Sequence, residues 1–391
     1  MIPYGKHFID DDDIDAVIRC LKSGLITQGP LVGQFEKQFA DFVGAKYAVA
    51  VSSGTAALHL STAASGFRKN HALVTSSLTF VASANVAYYQ NGRILLTDIT
   101  RDTLTMDPEN VEQLLEQHSD IDLLIPVHFG GAPCDMEELS RLAKSHGCKI
   151  IEDASHALGA TYYNGKKVGS CCYCDMTTFS FHPVKTIATG EGGMITTNDK
   201  DLYRSLLRLR SHGINKADDS YLIQDQAITD GQTNPWYYEM QDLGFNYRLT
   251  DFQSALGISQ LNKLESFLFR RRNLAAVYDE AFFNEAHIVL PQLSLRHLSG
   301  MHLYVLQIDF EELGISRAEF MSRLKADGIG SQVHYIPLPR HPFYKEKGFL
   351  VQDYPNVERY YQRCLSIPLF FSLSDQEQQR VVNAIKTLCR A

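Results

Sequence analysis

From residue 47 to residue 152 the chain repeats one pattern: a short apolar run, a few small or polar residues, then a segment with helical periodicity. The strand-like runs fall at 47–51, 72–75, 93–97, 123–127 and 149–152, and helices open between them near Thr55, Val81, Pro108 and Met136. Strands joined through helices have room to lie parallel, and unbroken apolar runs are what a parallel sheet covered on both faces requires. The expected fold class is therefore α/β, with a mostly parallel central sheet and helices on both faces. Runs at 176–181 and 194–197 add two further strands. A chain of 391 residues can carry such a domain and a smaller one besides.

Before the repeat come two amphipathic helices. The first, 10–23, puts Ile14, Val17, Ile18 and Leu21 on one face, with Gly24 as its stop. The second carries Leu31, Phe35, Phe39 and Phe42 and ends at Gly44. They are expected on the outside of the domain or against a partner subunit. After the repeat, 199–211 reads as a helix capped by Asp199, and 212–241 as a long polar loop holding Trp236, the sole tryptophan. A helix capped by Thr250 runs to about residue 269, and a second spans 270–283. Beyond residue 291 the texture changes to strand (302–310), helix (316–325), strand (331–335) and closing helix (374–388), a small α+β domain. The division expected is 1–250, connecting helices 251–290, and 291–391.

In open α/β sheets, ligands bind beyond the carboxyl ends of the strands. Three features fall there. Ser53, Gly54 and Thr55 join a strand to a helix start, where backbone N–H groups and hydroxyls form an anion cup. Asp153 ends an apolar strand, where a carboxylate can hold a protonated pyridine nitrogen. Lys185 sits on the loop between the last two strands, among Ser180, His182, Pro183, Thr186 and a Gly-Glu-Gly-Gly turn. A lysine there is a candidate amine nucleophile for a Schiff base, a solvated surface charge being the competing reading.

Composition limits the partners. A net charge of −8 gives no basic footprint for nucleic acid. No apolar run is long enough to cross a membrane, and residues 1–13 turn acidic without the apolar stretch of a signal peptide. The 8 cysteines show no regular framework; Cys171, Cys172 and Cys174 lack the second ligand pair of a closed zinc site, so no metal is expected. A reducing cytoplasm fits this usage.

The stretches TQGPLVGQFEKQFADFVG, SSGTAALHL, SLTFVASANV, EDASHALGA, SFHPVKTIATGEGG, RSHGI, GFNYRLTDFQSALGISQL and VHYIPL, in this order, resemble the sugar aminotransferases of the DegT/DnrJ/EryC1/StrS family. The resemblance covers nearly the whole chain and implies a fold-type I transferase dependent on pyridoxal 5'-phosphate. DASHALG, FHPVKTIATGEGG, RSHG and QVHY look most like the subgroup that aminates a UDP-linked 4-keto-6-deoxy-N-acetyl hexose, with L-glutamate as donor, for pseudaminic acid.

By that resemblance Lys185 is the catalytic lysine and Asp153 the partner of the pyridine nitrogen. His156 lies beside the cofactor's phenolic oxygen, or is a helix-start histidine bonded to backbone. Phe80 stacks on the pyridine ring, or is a plain core residue. Ser53, Gly54, Thr55 and Ser180 hold the phosphate, and Asn246 reaches it from the neighbouring subunit of a homodimer with shared sites. Arg248 meets an anionic substrate group or forms a structural salt bridge. His334 and Tyr335 lie near the substrate entrance, and Glu191 is structural. Relatives with histidine at the position of Lys185 act as dehydratases, so lysine favours transamination. The rival readings are the same chemistry on another nucleotide keto-sugar, and a non-catalytic cofactor-binding regulator or scaffold.

Overall fold

Seven strands form the central sheet: β1 (Tyr47–Val51), β2 (Ala72–Ser76), β3 (Arg93–Thr97), β4 (Ile121–Ile125), β5 (Lys149–Asp153), β6 (Met176–Ser180) and β7 (Gly193–Thr197). The computed structural model describes residues 1–216 and 221–390. The spatial order is β1-β7-β6-β5-β4-β2-β3. All neighbours are parallel except β7, which runs antiparallel to β1 and to β6. Parallel neighbours are joined through helices, whereas β6 and β7 are joined by the loop of Lys185, which carries no helix and returns the chain antiparallel.

Helices cover both faces. Phe35, Phe39, Leu139 and Leu142 belong to the core on one side, Leu58, Leu60, Val86 and Leu206 to the core on the other. The helices are α1 (Asp11–Leu21), α2 (Pro30–Val43), α3 (Gly54–Ala64), α4 (Ala82–Tyr89), α5 (Pro108–Gln117), α6 (Met136–His146) and α7 (Lys200–Arg210). Their caps are written in the sequence. Asp10 and Asp13 close a capping box on α1, Ser53 caps α3, Asp199 caps α7, and Gly44 ends α2 in the left-handed conformation.

Several local expectations change. Helix α1 buries Asp13 and Cys20, while Ile14, Ile18 and Leu21 are exposed. Its inner face is ionic because Lys263 pairs with both Asp10 and Asp13, and Gln260 donates to Asp13 Oδ2 at 2.7 Å. The long helix expected from Thr250 breaks at Lys263, giving Asp251–Asn262 and Leu264–Phe282. That break occurs where the Lys263 side chain turns to α1. The expected strand at 331–335 is reduced to one bridge between Gln332 and Ser366, because only Gln332 exchanges backbone bonds with the neighbouring strand. Within the polar segment, Ala217 to Ser220 lie outside the described residues, as does Ala391; the rest forms two-residue strand pairs and a short helical turn.

A second core gathers Leu274, Tyr278 and Phe282 with the strands Tyr304–Ile308 and Cys364–Ile367 and the helices Arg317–Ala326 and Asp375–Arg390. The helix Leu264–Phe282 therefore serves two cores, since Leu264, Phe267 and Leu268 pack under the main sheet. Residues 2–4 join the second core. Ile2 N–H donates to the Gly328 carbonyl, Gly330 N–H to Ile2 and Leu369 N–H to Tyr4.

Candidate active site

The site lies at the carboxyl ends of β1, β5 and β6. The cup forms where β1 passes into α3. Ser53 Oγ accepts from Ala56 N–H at 3.1 Å, which leaves the Gly54 and Thr55 N–H groups without a partner among the described residues. The approach is too close for side chains. A Cβ on Gly54 would stand 2.8 Å from that of Ser180, and one on Gly193 only 2.4 Å from the Ser53 carbonyl oxygen. Free N–H groups, three hydroxyl residues and a helix N-terminus fit a phosphate dianion.

Asp153, at the end of β5, is buried. Its Oδ2 accepts from Ser83 Oγ at 2.6 Å and its Oδ1 from Ser155 N–H at 3.0 Å. Ser83 is also bonded to Thr79. The two donors fix the direction of a carboxylate that can meet a pyridine nitrogen. On the other side of β5, Glu152 Oε2 accepts from Tyr162 Oη at 2.6 Å, lies 3.2 Å from His128 Nε2 and is met by Thr177 Oγ1 at 3.3 Å. The Thr177 hydroxyl also meets Cys171 and Cys174, so these thiols are packing and hydrogen-bonding groups beneath the sheet.

Lys185 is half-buried after β6. Desolvation pulls its pKa down from the ordinary lysine value to about 8, against the upward pull of the Asp153 carboxylate. Its charge in turn helps to depress three histidines, His156, His302 and His334, after the larger effect of burial on each. His334 is pushed down to about 4 and bonds Ser366 Oγ through Nδ1 at 2.8 Å.

His156 has both backbone and side-chain partners. Its Nδ1 accepts from Gly130 N–H at 3.3 Å, and its Nε2 lies 3.0 Å from Tyr335 Oη. A nitrogen that accepts carries no proton, so the neutral ring has its proton on Nε2 and donates it to Tyr335. The phenol keeps its own proton to offer to the site. Phe80 is not a core residue: it is 57% exposed, its ring centroid 6.1 Å from that of Tyr335, where an open aromatic face can cover a bound ring.

The structure thus brings Lys185, Asp153, His156, Phe80, His334 and Tyr335 together, with Ser53, Gly54, Thr55 and Ser180 forming the cup. Asn246 and Arg248 stand on the rim. Their segment bridges Ser211 and Val51, Asn246 is exposed, and neither side chain makes a hydrogen bond or ion pair among the described residues. Glu191 is exposed, and its carbonyl accepts from Thr189 and Gln253. Sequence reasoning missed Ser83, Gly130 and His302. Ser83 could have been found three residues beyond Phe80 in the same helix-start segment; the other two meet the site only through tertiary contacts.

The DegT/DnrJ/EryC1/StrS aminotransferase family matches residues 7–386. The chain is 38% identical over 391 residues to the spore coat polysaccharide biosynthesis protein SpsC of Bacillus subtilis, covering all of this chain and 97% of the other. It is 38% identical over 369 residues to the UDP-4-amino-4,6-dideoxy-N-acetyl-beta-L-altrosamine transaminase of Campylobacter jejuni, covering 94% and 92%. Helicobacter pylori PseC, an aminotransferase of pseudoaminic acid biosynthesis, superposes with a TM-score of 0.88 at 28% identity over 100% of this chain and 99% of that one. With a lysine, a buried aspartate and a phosphate cup placed as described, the chain belongs to the DegT/DnrJ/EryC1/StrS aminotransferase family and is a pyridoxal-phosphate-dependent nucleotide-sugar aminotransferase of fold type I.

Proposed function

We propose that the chain moves the amino group of L-glutamate to C4 of a UDP-linked 4-keto-6-deoxy-N-acetyl hexose on the route to pseudaminic acid. One observation carries the reaction class: Lys185 is a desolvated amine with a pKa near 8, facing a fixed aspartate and three depressed imidazoles. The names of the Campylobacter and Helicobacter relatives support the sugar.

The residues divide the work. The Gly54 and Thr55 N–H groups with Ser53 and Ser180 hold the cofactor's phosphate, Asp153 its ring nitrogen, Phe80 one face of the ring, and His156 with Tyr335 the side of its phenolic oxygen. When bound, pyridoxal phosphate supplies an electron sink that makes the Cα–H of an amino acid acidic. Lys185 would take the Cα proton of the donor and give it to the bound cofactor, and in the second half would take a proton back from there and deliver it to C4 of the sugar. A pKa near 8 leaves roughly a quarter of the amine neutral at pH 7.5, enough for it to serve as a base.

The working unit in this reading is a homodimer in the cytoplasm. Residues 1–250 bind the cofactor, 251–290 connect, and the chain from 291 closes the site. Leu222, Trp236, Tyr238, Met240 and Leu243 are exposed beside the rim residues Asn246 and Arg248, and Ile14, Ile18 and Leu21 are exposed on α1. A second copy covers these faces and borrows Asn246.

The reading is tested by loading the enzyme with L-glutamate, removing the free donor, and presenting UDP- and dTDP-linked 4-keto-sugars one at a time. The visible band of the cofactor should return with the N-acetylated UDP-hexose. Return only with a different sugar refutes the pathway. The second reading is the same chemistry on another nucleotide keto-sugar; the Bacillus relative, at the same 38% identity, is named for spore coat polysaccharide biosynthesis.

A further inference from the structure

His302 stands at the start of the strand Tyr304–Ile308, far from Lys185 in sequence, and its ring lies against His156 with centroids 4.5 Å apart. It is buried, and neither of its ring nitrogens makes a hydrogen bond among the described residues; Nδ1 is out of contact with solvent as well. What the side chain offers His156 is therefore its face. The backbone of the same residue grips the carbonyl of the glycine whose N–H His156 uses. His302 N–H and Leu303 N–H donate to the Gly130 carbonyl at 3.0 and 3.1 Å, and Gly300 N–H donates to Gly131. The two segments touch so closely that a Cβ on Gly131 would lie 2.8 Å from the Met301 nitrogen and 3.0 Å from that of His302.

Behind His302 lies Arg271, a buried guanidinium with no carboxylate partner among the described residues. Its Nη1 meets three backbone carbonyls, of Met301 at 3.4 Å, His302 at 3.3 Å and Leu369 at 3.0 Å. Burial lowers its pKa to about 10. An unpaired buried cation is costly, so this one marks a place where the backbone must be held. The groups around His156 are then complete: Lys185 and His334 toward the site, Tyr335 at Nε2, Gly130 at Nδ1, Phe129 at one edge, and His302, backed by Arg271, on one face.

We propose that His302 is a positioning residue: tied to Gly130 and to Arg271 through its backbone, its ring presses on one face of His156 and keeps that ring turned to accept from Gly130 and donate to Tyr335. A flip of His156 would set a carbon against the Gly130 N–H and undo the bond to Tyr335, and the His302 ring against its face stands in the way of the turn. The link to turnover rests on the aminotransferase reading above; the tautomer of His156 does not.

The test uses the full chain labelled with 15N-histidine, first without added cofactor, with His156 assigned by difference against His156→Gln. The unmodified chain should show one protonated nitrogen, Nε2. His302→Ala should average the two ring nitrogens and lower kcat on the order of tenfold to a hundredfold, with KM for glutamate little changed. His302→Phe, which restores a flat ring, should restore the single tautomer and most of kcat. Unchanged His156 shifts in a folded His302→Ala chain would overturn the proposal, as would a drop in Tm alone. Should that variant not fold, His302→Leu, of similar volume but without a flat face, takes its place, and a single fixed tautomer there overturns the proposal equally. A shifted tautomer in a chain that aminates none of the sugars would uphold it while refuting the proposed substrate.

Discussion

Tyr335 Oη lies 3.0 Å from His156 Nε2, joining residues 179 apart in the chain. It links the loop that follows Asp153 and β5 to the segment 331–335, where Val333 and Tyr335 pack against the small core of Phe129 and Tyr360. Removing the hydroxyl leaves His156 with an unspent proton. Tyr335→Phe should therefore lower kcat by ~10- to 100-fold while costing only about 1 kcal/mol of stability. Steady-state kinetics beside thermal unfolding separates the two effects.

Uptake of pyridoxal phosphate by the cofactor-free chain reports on Lys185 directly, because only the neutral amine reacts with an aldehyde. The association rate should climb as pH rises through about 8 and then level. The Asp153 carboxylate raises the pKa of Lys185, so Asp153→Asn should move the midpoint to lower pH, by about 1 unit. A midpoint near the ordinary lysine value in the unmodified chain would refute the desolvation argument. Lys185→Ala should lose turnover by ~10³-fold or more.

His334 titrates near 4 in the folded chain, against an ordinary value of 6.5. The unfolded chain therefore binds this proton first as pH falls. The stability that the neutral ring contributes is complete above pH 6.5, drains between 6.5 and 4, and is gone below. The loss amounts to roughly 3 kcal/mol. His156 and His302 act with the same sign. Urea titrations across that window should show a shallower slope for His334→Gln than for the unmodified chain.

Gly193→Ala places a methyl 2.4 Å from the Ser53 carbonyl oxygen and 2.9 Å from the Gly54 nitrogen. Both are backbone atoms of the cup and cannot rotate away. The substitution should destabilise the chain by about 2 kcal/mol and weaken cofactor binding at least ~10-fold. Absorbance titration with pyridoxal phosphate checks the second figure.

If Asn246 completes the partner's site, a mixture of Lys185→Ala chains with Asn246→Ala chains should regain activity that neither has alone. Random pairing gives half heterodimers with one intact site each, so roughly a quarter of full activity is the ceiling. No recovery after subunit exchange has been verified would refute the shared site.

The strands and the position of the site were legible because they rest on local rules. Both-face burial makes β1 to β5 read as apolar runs, and the loop carrying Lys185 is framed by glycines and hydroxyls. The caps at Asp199 and Thr250 were legible for the same reason: each is a side chain bonded within three residues. What was not legible depends on distant partners. Helix α1 carries an apolar stripe, yet Lys263 draws its acidic side inward. The run 331–335 alternates like a strand, but the neighbouring backbone meets it only at Gln332. Ser83, Gly130 and His302 act on Asp153 and His156 through approaches that no local spacing encodes.

The backbone bonds of Ile2 and Tyr4 to Gly328, Gly330 and Leu369 give synthesis and folding opposite orders. These residues leave the ribosome early, yet the segments that receive them are made more than three hundred residues later. Residues 2–4 must wait unpaired while the large sheet assembles, and dock only once Gly328, Gly330 and Leu369 have been made. Ile2→Asp should then be felt at the closing stage, slowing the maturation of the second core while the sheet that carries Lys185 forms at its usual pace.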